Sequence, residues 1–274
     1  MAEKKKKALT RKDLLAMIKR HGKAEGLDLS RREFVENIDL SQLDLSGILL
    51  REASLWYARL EGANLTGAHL ERAIMRGANL AGADLSGAKM DGIDLQGAHL
   101  EGAKLDKARL TKAELLKVNL GKASLNGARL EGAGLEAVHL EWADLSQADL
   151  KNAYLTRAHL EGANLSGAEL DGANLEDADL TSANLSDASL EEASLERADL
   201  RGATLHRANL KRANLRYANL RGPETSLIKA EMAGAQLYAA DLFQADLEDI
   251  NWGEGYQRGH RRLPQPQELA QRPG

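Results

Sequence analysis

From residue 40 to residue 220 every fifth residue is Leu except Met75 and Met90, so 35 of 37 consecutive centres are Leu. The residue two before each centre is Ala in 31 of the 37, and the exceptions (Ile38, Leu43, Ile48, Ile93, Val118 and Val138) are all apolar. Asn or Asp often precedes the centre, as in Ala63-Asn64-Leu65 and Ala83-Asp84-Leu85. Ser, Thr or a charged residue often follows it, and Gly commonly comes next. An α-helix cannot use this spacing. At about 100° per residue, a five-residue step turns successive Leu side chains by about 140° net and leaves no apolar stripe. A long strand fails because an odd period flips alternate Leu residues to opposite faces. A coiled coil needs a seven-residue period. The pattern fits a short extended piece in which positions i−2 and i face inward, followed by a corner of Gly, Ser, Asn and Asp. Repeated, it makes a coil with Leu and Ala inside and everything else outside.

In this unit, A-(N/D)-L-x-x, the chain resembles the pentapeptide-repeat family, from Leu40 to about Trp252. The resemblance implies an all-β solenoid: a right-handed quadrilateral parallel β-helix with four pentapeptides per coil. Handedness and the count of four come from the resemblance. Residues 20 apart would then stack like neighbouring strands, roughly 4.8 Å apart, in about 10–11 coils and a rod roughly 50 Å long. Small Ala at i−2 is required because two large side chains per side would overfill the lumen.

Both ends of a solenoid need covers. Thr10 is a good N-cap, Asp13 completes a capping-box-like pair, and Leu9 with Leu14 makes a hydrophobic staple. These signals predict a helix from about Arg11 to Arg20, stopped by Gly22, with Leu14, Leu15 and Ile18 on one face over an irregular first coil of Leu27, Leu29 and Phe34. The rhythm breaks once, at Arg221-Gly222-Pro223-Glu224, where a step of seven marks a two-residue insertion and puts Pro223 in the slot expected to hold Ala. The expected division is therefore 1–26, a basic arm and capping helix; 27–252, the repeat; and 253–274, a flexible polar tail, with Trp252 and Tyr256 plugging the last coil.

Composition narrows the chemistry. The 274 residues include no Cys, which excludes disulfides, Cys-based metal sites and a cysteine nucleophile. No stretch of about 18 apolar residues is present to span a membrane, and the N-terminal lysines precede no apolar region of a secretory signal. These features are read as those of a cytoplasmic bacterial protein. A net charge of −4 does not point to nucleic acid, and residues 1–23, though +7 net, have no interleaved aromatics to stack on bases. Gly253, Gly255 and Gly259 lack dinucleotide-fingerprint spacing, and no Walker loop, His-Glu-x-x-His or Gly-x-Ser-x-Gly motif occurs. Carboxylates are plentiful but lie outside, with no pocket to raise a pKa. No enzyme activity, cofactor or small-molecule substrate is expected.

Two outward features remain. His-Leu-Glu occurs at His69, His99, His139 and His159, and 20-residue coils place His139 and His159 next to each other with Glu141 and Glu161. Such a set can bind a divalent metal. A flat ladder encloses nothing, however, so these residues read as tolerant surface positions and no metal is assigned. Charge is also segmented: residues 161–200 hold 11 acids and one base, Arg197, whereas 201–221 hold six bases and no acid. Ladder pairs such as Lys151 between Glu131 and Asp171, and Lys211 beside Glu191, are one account. The other is an acidic docking edge of Glu176, Asp177, Glu191 and Glu192 for an unidentified protein partner. The function expected is a non-enzymatic rod for protein–protein interaction or scaffolding. The family resemblance implies an alternative, a mimic of duplex DNA that binds DNA gyrase or topoisomerase. Against it stand Leu rather than Phe centres and a basic coil beside the acidic one.

Overall fold

The protein is described by a computed structural model over residues 7–253. Apart from one helix, α1 (Arg11–His21), the described chain is a stack of coils joined by single-residue parallel bridges. Bridge partners lie 20 residues apart from Asp39↔Arg59 to Asp199↔Asn219, and a bridge recurs every five residues, which makes the coil four-sided. One column runs through Asp39, Arg59, Asn79, His99, Asn119, His139, His159, Asp179, Asp199, Asn219 and Asp241. Those eleven rungs, spaced about 4.8 Å apart, give a rod roughly 50 Å long.

The backbone hydrogen bonds explain the five-residue unit. Around Leu125, the centre N–H donates to Asp144 O one coil on (2.7 Å), and Gly127 N–H at i+2 donates to Ser146 O (2.9 Å). Ala128 N–H closes the turn onto Leu125 O (2.9 Å), and Ser124 N–H donates back to Ala103 O (3.0 Å). Four of the five amides are thus satisfied by backbone, and the fifth, at i+1, is left over. A buried or half-buried amide needs a partner. The Asn or Asp at i−1 supplies it: Asp144 Oδ1 accepts from Ser146 N (3.0 Å), Asn119 from Gly121 (3.0 Å) and Asp179 from Thr181 (3.0 Å). This is why Asn and Asp crowd the position before the centre.

Each corner has positive φ at i+2 alone, which marks a type II turn. Gly162 (φ 63°) does this without steric cost, but Ala137 (50°) and Trp142 (60°) do it as well. Gly162 has a second reason to be glycine, because a Cβ there would come within 2.5 Å of the Trp142 ring.

The interior is the dry column the spacing predicts: the Leu centres and the Ala residues at i−2 are buried from Ala53 to Leu220. Helix α1 covers one end. Thr10 and Asp13 form a reciprocal capping box, and Gly22 N–H bonds Ile18 O (2.8 Å). Leu9 bridges Phe34 and adds a rung to the first coil, while Arg11 Nη1 donates to Asp39 O (2.5 Å). Leu9 and Leu14 are buried, as the staple requires. The expected apolar face needs one correction. Leu15 is 42% exposed, and Met17 takes its place beside Leu14 and Ile18, because i, i+3 and i+4 share a helix face while i+1 lies about 100° away.

The repeat also begins earlier than Leu40. Asp28 bridges Leu49 and Glu33 bridges Ser54, each 21 apart, so Leu29 and Phe34 are centres with one extra residue before Leu40. The two-residue insertion appears as a bridge step of 22 at Thr204↔Ser226. Its geometry differs from the expectation. Pro223 is exposed, and the slot before Leu227 is filled by buried Thr225. The insertion displaces the carbonyl that Gly202 N–H would otherwise meet. The Thr225 hydroxyl replaces it, accepting from Gly202 N–H at 2.7 Å and donating to Arg221 O at 3.3 Å. The expected tail and the Tyr256 plug lie outside the described residues, as do Lys4 to Lys6.

Candidate functional site

With Leu and Ala filling the lumen, functional side chains can stand only at i−1, i+1 and i+2, on the outer walls and corners. The four residues of the acidic edge lie on two adjoining corners, and each has an arginine partner. Arg197 reaches Asp177 (2.8 Å), Glu196 (2.8 Å) and Glu176. Arg212 reaches Glu192 (2.9 Å) and Glu191. Five carboxylates therefore meet two guanidiniums, and the edge stays net negative. The Arg197 hydrogen bonds hold the Asp177 carboxyl below its ordinary range, and Arg207 does the same for Asp187.

Two expected lysine partners are corrected by pairs that run diagonally between columns. Lys151 pairs with Glu169, 18 residues on, and Lys211 with Glu231 (3.5 Å), whereas Glu191 belongs to Arg212. In these two pairs the lysine at i+1 leans to the next coil's i−1 position, whereas Arg51 meets Glu71 in its own column at 3.3 Å.

The His-Leu-Glu tripeptides are not equivalent. His69 lies against Arg51 and 3.6 Å from Glu71. Burial pushes its imidazole below the ordinary value, with Lys89 and Arg51 adding to the effect and Glu71 opposing it. His139 and His159 instead stack face to face, with centroids 4.6 Å apart and planes within 5°. His139 Nδ1 donates to Glu141 Oε1 at 2.9 Å. One ligand atom from each of His139, Glu141 and His159 lies within 4.8 Å of the others. Glu161 and His99 stand outside this cluster.

An aromatic–arginine patch on the last coils was missed by sequence reasoning. The Arg216 guanidinium lies 5.9 Å from the Tyr217 ring and 5.8 Å from that of Tyr238, and the two tyrosines meet edge to face at 5.6 Å. Arg221 sits 4.8 Å over Phe243. The signal was present as aromatics in outward slots of successive coils, but the two-residue insertion hides their alignment. No helix among the described residues is long and apolar enough to cross a membrane.

Comparison with known proteins agrees with this architecture. The family description "Pentapeptide repeats" matches eight copies spanning residues 36–222. HetL, a pentapeptide repeat protein involved in heterocyst differentiation regulation in the cyanobacterium Nostoc sp. strain PCC 7120, is 34% identical, covering 88% of this chain and 96% of its own, with a TM-score of 0.44. A thylakoid-lumen pentapeptide repeat protein from Arabidopsis thaliana is 27% identical over 48% of this chain and 70% of its own, with a TM-score of 0.26. Full-length QnrB1, a plasmid-mediated fluoroquinolone resistance protein, is 20% identical over 72% and 92%, with a TM-score of 0.27. Among curated proteins none matches significantly. The repeat unit, the four-sided coil and the family match together make this chain a member of the pentapeptide-repeat family.

Proposed function

We propose that the protein is a non-enzymatic rod that binds protein partners through its outer surface. The observation carrying this reading is the lumen: an unbroken column of buried apolar side chains, mostly Leu and Ala, leaves no interior cleft for a substrate along the regular coils. What the rod presents outward is the material of interfaces. The Arg216-Tyr217-Tyr238 corner combines residue types that dominate binding hot spots. The net-negative edge of Glu176, Asp177, Glu191 and Glu192 lies below it and supplies steering.

Quantitative affinity capture from the native host, with wild type beside two variants, tests this. One variant is Tyr217→Ser with Tyr238→Ser; the other changes Glu176, Asp177, Glu191 and Glu192 to their amides. The expected result is a protein partner held by wild type and lost from at least one variant. Identical capture by all three overturns the placement. A supercoiling assay with purified protein separates the reading from duplex-DNA mimicry. Carboxylates tied to Arg197 and Arg212, next to a basic coil, do not reproduce a phosphate backbone, so DNA gyrase is expected to be unaffected.

A further inference from the structure

We propose that His139, Glu141 and His159 form a binding site on the wall of the rod for a divalent transition-metal ion of borderline softness, Zn²⁺ being the representative. The residue types carry the first part of the argument. Two imidazoles and a carboxylate suit Zn²⁺, Ni²⁺ or Cu²⁺ and do not suit Mg²⁺ or Ca²⁺, which prefer all-oxygen sets. A His₂Glu set fills three positions of a tetrahedral ion and leaves the fourth to water.

Geometry carries the second part. The β-helix holds consecutive rungs of the column in register through the His139↔His159 bridge, so the two rings are presented together. The rings lie parallel on consecutive rungs, with centroids 4.6 Å apart. His139 Nδ1 and Glu141 Oε1 are already 2.9 Å apart, and the His159 donor is within 4.8 Å. A tetrahedral ion with bonds near 2.0–2.1 Å needs donors about 3.3 Å apart. The first pair must open slightly and His159 must swing in, a movement that two exposed rings can make by rotamer adjustment. The ion then takes the position of the proton that His139 and Glu141 share.

The neighbouring rungs show why the site is confined to this level. Asn119 below and Asp179 above each commit Oδ1 to their own turn, bonding Gly121 N and Thr181 N. At this level His139 Nδ1 turns instead to the Glu141 carboxylate, not to the amide of its own turn. His69, which sits in a different column, has Arg51 against its ring and Lys89 on the next rung. Cations there oppose a metal.

Isothermal titration with Zn²⁺ at neutral pH, on the full chain, tests the site. Wild type is compared with His139→Asn/His159→Asn, with Glu141→Gln and with His69→Asn. Asn is native to this column at positions 79, 119 and 219, so the double variant is compatible with the fold, which circular dichroism verifies. The expected result is one wild-type Zn²⁺ site weakened about tenfold or more in the double variant, weakened less in Glu141→Gln and unchanged in His69→Asn. Excess Mg²⁺ should not compete. As a readout that needs no variant, Zn²⁺ should protect His139 and His159 of the wild-type chain, and not His99, from diethylpyrocarbonate modification followed by peptide mass spectrometry. Equal Zn²⁺ affinity in wild type and double variant, or equal modification of His139 and His159 with and without Zn²⁺, overturns the proposal.

Discussion

The two ends of the described rod carry similar residues and bury them differently. At the N-terminal end, Leu9, Leu29 and Phe34 are all buried although the repeat there is irregular. At the other end, Leu237, Leu247 and the alanines 235, 240 and 245 keep the regular spacing yet are only partly buried. Leu215 is fully buried, and Leu237, the same slot one coil on, is not. Sequence identity at a slot therefore does not by itself set burial; in the last described coil Leu242 stays buried while Leu237 and Leu247 do not. Helix α1 and the Leu9 rung cover the first coil at the start, as expected of a solenoid in which each repeat contacts only its neighbours.

The strongest way to break this contrast is to remove the cap. Deleting residues 1–22 should expose the first coil and cost several kcal/mol, since Leu14 alone contributes roughly 1.5–3 kcal/mol on burial. The truncated rod should aggregate or pair end to end, which light scattering detects. A monomer as stable as the parent would show that α1 covers nothing.

Point changes sharpen it. Leu14→Ala should destabilise by about 2–5 kcal/mol, the range for a large-to-small change at a buried site, and Leu237→Ala by less than half as much. Denaturant melts of the two variants would check this, and equal losses would remove the distinction between the ends. Thr225→Ala comes next. It leaves the Gly202 N–H without an acceptor and should cost roughly 1–3 kcal/mol. The smallest expected effect is electrostatic. The folded-state pKa of Asp177 and Asp187 is lowered by Arg197 and Arg207. Their contribution is present above the ordinary aspartate value, about 3.9, and is lost as pH falls through the lowered folded value. Melting temperature measured below pH ~4 should fall less in Asp177→Asn/Asp187→Asn than in wild type, by a margin that salt reduces.

Much of this was legible in the sequence because the five-residue period leaves one geometry for Leu and Ala, and because Thr10, Asp13 and Gly22 mark α1 by local chemistry alone. What escaped depended on contacts between coils. The slot taken by Thr225 in place of Pro223 depends on how the insertion realigns the next coil, which counting in fives from Leu220 cannot show. The exchange of Leu15 for Met17 is the exception, since the helical period counted from Leu14 already points to Met17 and Ile18. The partners of Lys211 and Glu191 were misassigned because long side chains cross columns. The stacked pair of His139 and His159 was placed by register, but ring orientation and the Glu141 contact were not readable from spacing.

The central claim is that alternate positions of each pentapeptide face a dry interior and water, so that all function lies outside. Leu105 and Lys104 are neighbours in one unit, the first buried and the second exposed. Thermal denaturation of Leu105→Asn and Lys104→Asn applies the same side chain to both. The account predicts that Leu105→Asn loses at least about 3 kcal/mol, through a cavity and an unsatisfied buried amide. Lys104→Asn should keep the wild-type midpoint or rise slightly, since Asn at i−1 can accept the spare i+1 amide. Equal midpoints for the two variants, or a greater loss for Lys104→Asn, would contradict it.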